Sequence, residues 1–234
     1  MAGNYTGKFR RRAEEHVLKD YGLTILVAVL LALLIRFFGV EAYRIPTSTM
    51  KPTLESGDTI FVGKWQFGLR FPLLGNRINT GHLPTRGEVV LYAPPEEPKR
   101  DVIKRVIGLS GETVEVKQGR VLINGKVLPV DLLAHSTCGS ETLPEGNRHG
   151  TCWEPPLLEN FGPEKVPQNA VFAMSDMRSG SSVDALKSHA YALIPASALK
   201  GKALWIWLSI QPQGLGHNSW FPQFRFERMF RRIE

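Results

Sequence analysis

Several hydroxyl groups stand close together in one short segment of the chain. Residues Tyr43–Leu54 read YRIPTSTMKPTL and contain Thr47, Ser48 and Thr49 in succession. A hydroxyl attacks an amide only when a base takes its proton, so nucleophilic chemistry here would need a base nearby. By composition alone the segment is a proline-bounded surface loop, and most such loops are inert.

A candidate base and a second polar segment follow. Residues Asp101–Gly111 read DVIKRVIGLSG and place Lys104 in an apolar context. Lysine at its ordinary pKa of about 10.4 is protonated, but burial among apolar groups disfavours the ammonium and can lower the pKa by several units. A lysine on a strand more often points its ammonium to water. Residues Ala173–Asp184, AMSDMRSGSSVD, would alone be a polar turn.

Together and in this order, the three segments resemble the sequence boxes of the bacterial type I signal peptidase (leader peptidase) family. The first box, 43–54, is similar to I-P-[ST]-x-S-M-x-P-T-L and is followed by the family's Gly-Asp pair at 57–58. The second box, 101–111, resembles D-x-I-K-R-x-[IV]-G, and a G-[DE]-x-V strand follows at 111–114. The third box, 173–184, resembles a degenerate G-D-N-R-x-x-S-x-D-S-R.

The resemblance implies a membrane-anchored endopeptidase that removes signal peptides from exported preproteins. Such enzymes use a hydroxyl nucleophile and a lysine general base, without histidine, metal or cofactor. Carried over by position, Thr49 is the nucleophile, Lys104 the base, and Thr47 the hydroxyl that binds the oxyanion with the backbone N–H of Thr49.

The resemblance also implies substrate-binding and supporting residues. Shallow pockets that select Ala-x-Ala by excluding larger side chains would be formed at or near Tyr43, Ile45, Leu54 and Ile103. In the third box the supporting residues would be Asp176, Arg178, Ser181 and Asp184, with Ser181 hydrogen-bonded to the lysine.

Two departures from the family pattern leave alternatives open. The family has Ser directly before Met, whereas this chain has Thr49 there and Ser48 one position early. A shift of one residue turns an extended side chain to the opposite face, and threonine's extra methyl crowds the scissile carbonyl. The third box has Ser175 for Gly and Met177 for Asn. The nucleophile is therefore Thr49 or Ser48, or the protein is a silent paralogue that binds signal peptides or acts as a regulatory membrane protein.

An apolar segment precedes the first box. From Tyr21 to Val40 only Arg36 is charged, and about 20 residues of helix span about 30 Å, the thickness of a bilayer core. We expect a basic cytoplasmic segment at 1–20, one transmembrane helix at 21–41 in the cytoplasmic (inner) membrane, and a periplasmic or extracellular catalytic region at 42–234. A cleavable signal peptide ending near Ala42 is the competing interpretation.

Charge and cysteine content agree with this placement. The formal net charge is +7, and the cations concentrate at 8–12 and 225–232, which favours membrane lipid over nucleic acid as a partner.

Cys138 and Cys152 could be free thiols, but outside the cytoplasm a disulfide is expected. It would close a loop of about 15 residues and contribute about 3 kcal/mol. The oligomeric state is not predicted.

After residue 43 the pattern predicts a mainly antiparallel β fold. Runs rich in β-branched, aliphatic or aromatic residues predict strands at 59–65, 88–92, 102–109, 113–117, 120–123 and 204–208. Residues 114–125 predict a hairpin that turns at Gln118-Gly119, and 143–167 predicts an irregular connection. By the resemblance, a second β subdomain is inserted at about 112–168.

Overall fold

A computed structural model describes residues 21–32, 39–67, 69–70, 77–78, 82–156, 158–179, 190–212 and 222–234. The chain divides into two compact units, Met1–Val40 and Glu41–Glu234. In the first unit, residues 21–32 form helix α1, whose side chains are all exposed. The predicted basic segment at 1–20 and residues 33–38 lie outside the described residues.

The predicted transmembrane helix at 21–41 is only partly matched. Within the part of the chain that the structure describes, no helix has both the length and the apolar composition needed to cross a membrane. The predicted end of the helix is wrong, because Val40 and Glu41 belong to the first β-strand, Val40–Arg44. A β-branched residue directly after Gly39 suits the extended backbone that pairs at a sheet edge.

The second unit is built almost entirely from strands. In chain order they are β1 Val40–Arg44, β2 Asp58–Gly63, β3 Leu69–Arg70, β4 Arg77–Ile78, β5 Val89–Tyr92, β6 Val102–Gly108, β7 Thr113–Lys117, β8 Arg120–Ile123, β9 Lys126–Val127, β10 Val130–Leu132, β11 Cys138–Thr142, β12 Arg148–Cys152, β13 Phe161–Lys165, β14 Ala170–Met174, β15 Tyr191–Pro195 and β16 Leu199–Ser209. Short 3₁₀ helices occur at Trp65–Phe67, Ala196–Ala198 and Phe226–Arg228.

Seven of these strands form the main sheet, in the order β1-β2-β16-β5-β6-β14-β15. From β2 to β15 every neighbouring pair is antiparallel. Strand β6 lies between β5 and β14, and all seven of its residues are buried. A strand covered on both faces cannot send a lysine to water, so this position decides the environment of Lys104.

Two smaller sheets use residues between β6 and β14. One has the order β13-β7-β8-β9 and the other β10-β11-β12. The predicted hairpin is β7 and β8, and its turn residues Gln118 and Gly119 have φ of 50° and 74°, as a two-residue hairpin loop requires. The predicted irregular connection at 143–167 is wrong, because it contains β12 and β13. Neither strand has a strand-like composition, and pairing with β11 and β7 imposes the extended form.

Three buried hydrophobic clusters hold the second unit together. The first joins the first box to β2 and β16 on one face of the main sheet, and the second lies on the opposite face around β5, β6 and β14. The third joins the strands between β6 and β14 to β14 itself. The prediction of a mainly antiparallel β fold is therefore confirmed.

Candidate active site

A buried ion pair connects the second and third boxes. Arg105 Nε and Nη2 each donate to an Asp176 carboxylate oxygen at 2.8 Å, and both side chains are fully buried. Thr53 of the first box joins them, since its hydroxyl donates to Asp176 Oδ2 at 2.5 Å and accepts from Arg105 Nη2 at 2.9 Å. One network of three side chains thus holds all three boxes together.

The electrostatics of this network follow from its geometry. Burial raises the pKa of the Asp176 carboxyl, but the charge and hydrogen bonds of Arg105 outweigh burial and hold that pKa below its ordinary value. Arg105 is satisfied further by the backbone carbonyls of Gly87 and Glu234, at 2.8 and 2.6 Å from Nη1. Completing the hydrogen bonds of a buried charge pair in this way offsets part of the cost of removing the charges from water.

Lys104 lies beside this pair on the opposite face of β6. Its side chain is 1% exposed, and Nζ donates to Ser175 Oγ at 2.6 Å. Ser175 is itself 2% exposed. The alternation of side chains along β6 places Lys104 with Val102 and Val106, and the register pairs it with Val90 of β5. The amine is therefore held away from bulk water among apolar side chains.

The third box also contacts the proposed nucleophile through its backbone. The amide of Met177 donates to the carbonyl oxygen of Thr49 at 3.0 Å. Residues 175, 176 and 177 thus contact, in turn, the candidate base, the buried arginine and the candidate nucleophile. The departure from the family pattern at 175 supplies the hydroxyl that contacts the candidate base, and the departure at 177 leaves a backbone contact in place.

Thr49 lies at the wall of a groove of about 340 Å³. Its hydroxyl oxygen is 3.2 Å from that of Thr47, and both residues are partly buried. The described residues that line the groove are Tyr43, Pro46, Thr47, Thr49, Arg100, Asp101, Val102 and Ile103. Ser48 is not among them. The structure therefore brings residues from the first and second boxes to a single groove.

The four predicted pocket residues divide into two pairs. Tyr43 and Ile103 line the groove, and the Tyr43 hydroxyl donates to the carbonyl oxygen of Asp101 at 3.2 Å. Burial, reinforced by the Asp101 carboxylate, raises the pKa of Tyr43, which keeps this hydroxyl protonated as a donor. Ile45 and Leu54 are 1% and 0% exposed and pack in the same core cluster as Ile103.

The inserted strands support the third box. Cys138 and Cys152 are directly opposite each other on β11 and β12 and form a disulfide. The amide of Cys152 donates to Asp176 O at 3.1 Å, and the amide of Arg178 donates to Cys152 O at 2.7 Å. The hairpin of β11 and β12 therefore extends, by backbone pairing, into the segment that carries Asp176.

Arg178 forms a second buried ion pair with this hairpin. Its Nη2 donates to Glu141 Oε2 at 2.8 Å, and neither side chain is exposed. Burial raises the pKa of the Glu141 carboxyl, but the positive charge of Arg178 outweighs it and the net direction is downward. His149 of β12 stands 3.3 Å from the same carboxylate oxygen. Of the four predicted supporting residues, Asp176 and Arg178 make these contacts, while Ser181 and Asp184 lie outside the described residues.

Sequence reasoning missed several residues of this arrangement. The sequence indicates Ser175 only as a replacement for the family's glycine, and its position opposite Lys104 follows from a pairing of β6 with β14 that the sequence does not specify. Thr53 lies in the first matched box, and the sequence predicts no role for it. Glu141 and His149 belong to strands of the insertion, β11 and β12. One signal in the sequence could have indicated Glu141 and His149. Each is an ionisable residue at a position that alternates with less buried ones along its strand, so its side chain faces the interior.

Comparison with known proteins matches residues 18–208 to the family described as signal peptidase, peptidase S26. A signal peptidase I from Pseudomonas aeruginosa is 31% identical over 84% of this chain and 74% of its own length. A probable signal peptidase I-2 from Synechocystis is 32% identical, covering 85% and 77%. Signal peptidase I T from Bacillus subtilis is 36% identical, covering 69% and 72%. A crystal structure of a signal peptidase I from Enterococcus faecalis matches at 19% identity over 52% of this chain and 97% of that chain, with a TM-score of 0.32, too low to support the fold by itself.

The buried pair generates a prediction about stability and pH. Asp176→Asn leaves Arg105 without its counter-charge, and we expect the free energy of unfolding at neutral pH to fall by about 3–5 kcal/mol. The folded-state pKa of Asp176 is depressed, so its stabilising contribution is present above its ordinary pKa of about 3.9 and is lost as pH falls through the folded-state value. The difference between native and variant should therefore narrow below about pH 4.

Urea denaturation of the native protein and the variant between pH 3 and pH 7 measures this effect. Asp131→Asn is the matched control, because Asp131 pairs with Arg148 at the surface and its side chain is 72% exposed. The control should shift the midpoint little at any pH. Equal shifts of the urea midpoint in the two variants would show that the buried pair contributes no more to stability than a surface pair.

Proposed function

Since this chain belongs to the signal peptidase family, peptidase S26, we propose that it is a membrane-anchored endopeptidase that removes signal peptides from exported preproteins with Thr49 as nucleophile and Lys104 as general base. One observation carries the proposal. Residues 175–177 contact Lys104, Arg105 and the carbonyl of Thr49, so the three boxes that the family resemblance singled out converge on one site.

Lys104 suits the role of base because the mechanism requires a neutral amine. Removing an ammonium from water among apolar side chains favours the neutral form, and Lys104 is almost completely buried on a strand covered on both faces. The neutral amine takes the proton of the Thr49 hydroxyl as Oγ1 bonds to the scissile carbonyl carbon. The resulting ammonium then protonates the leaving amine as the C–N bond breaks, and water hydrolyses the ester that remains.

Thr49 is favoured over Ser48 by its surroundings. Thr49 lines the groove together with Thr47, and its carbonyl is fixed by the amide of Met177. Developing negative charge on the substrate oxygen would be stabilised by the Thr47 hydroxyl and the Thr49 amide, which act as an oxyanion hole. Ser48 is one residue away and its side chain is not part of the described groove.

The groove also supports the substrate class. Proline, valine, isoleucine and the ring of Tyr43 provide apolar walls, and Tyr43 is held by its bond to the Asp101 carbonyl. Walls fixed in this way leave shallow space that accepts alanine and excludes larger side chains, as cleavage after Ala-x-Ala requires. Ile45 and Leu54, packed in the core behind Ile103, would keep those walls in place.

The anchor and its orientation are part of the proposal. The sequence from Tyr21 to Val40 has the length and composition of a membrane span, and the apolar side chains of α1 are exposed in the described residues. Cations at 8–12 and Lys19 favour a cytoplasmic N-terminus, which places the catalytic region and the disulfide outside.

A silent paralogue is the second candidate, and one observation favours it. The hydroxyl of Thr49 lies within hydrogen-bonding distance of the Thr47 hydroxyl, and threonine replaces the family's serine. Such a protein would keep the groove and bind signal peptides without cutting them. The two candidates differ in whether the native protein turns over a preprotein.

Lys104 gives the first test of the enzyme. Purified protein in detergent should convert a preprotein to its mature form, and Lys104→Ala should slow this by at least about 100-fold. Lys104→Arg should fail equally, because a guanidinium cannot be deprotonated. Lys202→Arg is the matched control, since Lys202 pairs with Glu88 away from the groove and should retain cleavage. Cleavage by the Lys104→Arg variant would refute the lysine base.

Thr49 gives the second test. Thr49→Ala should abolish cleavage, while Ser48→Ala, its matched neighbour, should leave most of it. Thr49→Ser should preserve or raise kcat, because it keeps the hydroxyl and removes the methyl that crowds the carbonyl. A native protein without activity that gains it in Thr49→Ser would establish the silent paralogue. Loss of cleavage only in Ser48→Ala would make Ser48 the nucleophile.

Orientation is tested by a reporter that is active only outside the cytoplasm. Fused after Glu234 it should be active, because the positive flank before Tyr21 keeps the N-terminus inside. Fused after Asp20, before the apolar segment, it should be inactive. Cytoplasmic location of the Glu234 fusion would overturn the orientation and remove the reason to expect an oxidised disulfide.

A further inference from the structure

Ser175 is the described partner of the candidate base. Lys104 Nζ donates to Ser175 Oγ at 2.6 Å, and the two side chains are 1% and 2% exposed. The pairing of β6 with β14 explains the contact, because Met174 is opposite Arg105 and the next residue of each strand brings Ser175 opposite Lys104. The hydroxyl and the amine therefore share one face.

The backbone on both sides holds Ser175 in place. Its own amide donates to the carbonyl of Ala190 at 2.8 Å. The next side chain, Asp176, is fixed by Arg105 and Thr53, and the next amide, that of Met177, is bonded to Thr49 O. A hydroxyl anchored in this way can define the direction of a flexible lysine side chain.

We propose that Ser175 is the positioning residue that orients Lys104 for proton transfer, an inference that rests on the proposed function. A lysine amine on four methylene groups has many rotamers, and only those that aim its lone pair at the nucleophile are productive. Accepting one N–H at Oγ restricts the amine to a few of them, and a misplacement of about 1 Å in a catalytic group costs on the order of 100-fold. Ser175 is not among the described residues that line the groove.

This role differs from the one that the family resemblance implies. The resemblance gives the lysine-bonding hydroxyl to Ser181, and it places Ser175 where the family has glycine, which has no side chain. A hydroxyl at position 175 reaches the lysine from the strand end itself. The apparent erosion of the third box thus supplies a hydroxyl that the family pattern lacks at this position.

Kinetics of Ser175→Ala provide the main test. We expect kcat to fall by about 10- to 100-fold with KM changed by less than about twofold, because the hydroxyl acts on the base and not on the substrate. The acid limb of the kcat/KM profile should move to lower pH, since the lost oxygen accepts a bond that favours the ammonium. Ser209→Ala is the control: Ser209 is equally buried and bonds Asp58, so its removal should leave kcat and the profile unchanged.

Ser181→Ala separates the two serines. If Ser181 positions the lysine, its alanine variant will shift the pH profile and Ser175→Ala will not, and the proposal is then wrong. Circular dichroism and thermal melting identify any variant that loses activity by unfolding. Where Ser175→Ala does not fold, Ser175→Thr, which keeps the oxygen, should retain the native pH profile, and a shifted profile would contradict the proposal.

A spectroscopic readout distinguishes failure of this proposal from failure of the proposed function. The ε-carbon resonance of Lys104 in ¹³C-lysine protein, identified by its absence in Lys104→Ala, can be titrated without cleavage. Ser175→Ala should lower the midpoint of that titration and Ser209→Ala should not. An unchanged midpoint overturns the Ser175 role. A shifted midpoint together with a native protein that cleaves nothing supports the contact of Ser175 with Lys104 but refutes the proposed peptidase.

Discussion

The arrangement of the site depends on one fully buried charge pair, Arg105 with Asp176. Withdrawing two charges from water costs free energy that close pairing and further hydrogen bonds must offset, and here Thr53 and two backbone carbonyls supply those further bonds. Because the partners come from three distant parts of the chain, the requirement for complete pairing fixes those parts relative to one another. A site assembled from loops alone would have no comparable constraint.

The pair also organises the two faces of β6. Arg105 and its carboxylate lie on one face with Ile103, while Lys104 and Ser175 lie on the other with Val90 and Tyr92 of β5. Strand alternation therefore separates the ion pair of Arg105 from Lys104, whose proposed role as a base requires loss of its proton. The inserted hairpin adds a second buried pair, Glu141 with Arg178, and the backbone of its disulfide-bonded Cys152 is hydrogen-bonded to the third box. The insertion thus contributes to the framework of the site.

How much could be predicted from the sequence depended on how local each feature is. β6, β7 and β8 were found within a residue or two because β-branched runs and the Gln118-Gly119 turn are local signals. β12 and β13 were missed because their extended form comes from pairing with distant strands. Thr49 and Lys104 are proposed by resemblance, but the contacts of Ser175 and Glu141 depend on the register between strands. Sequence gives residue types, whereas contacts between elements 71 residues apart, such as Lys104 with Ser175, depend on tertiary pairing.

The position of β16 has a consequence for the order in which the molecule forms. β16 is the last strand of the main sheet in sequence, yet it lies between β2 and β5. Among the described strands, β1 and β2, which flank the first box, are therefore joined to the rest of the sheet through residues 199–209. During synthesis, the segment with the candidate nucleophile leaves the ribosome about 150 residues before that strand, and such long-range pairing is slow to form. The main sheet therefore cannot be completed until residues 199–209 have been translated.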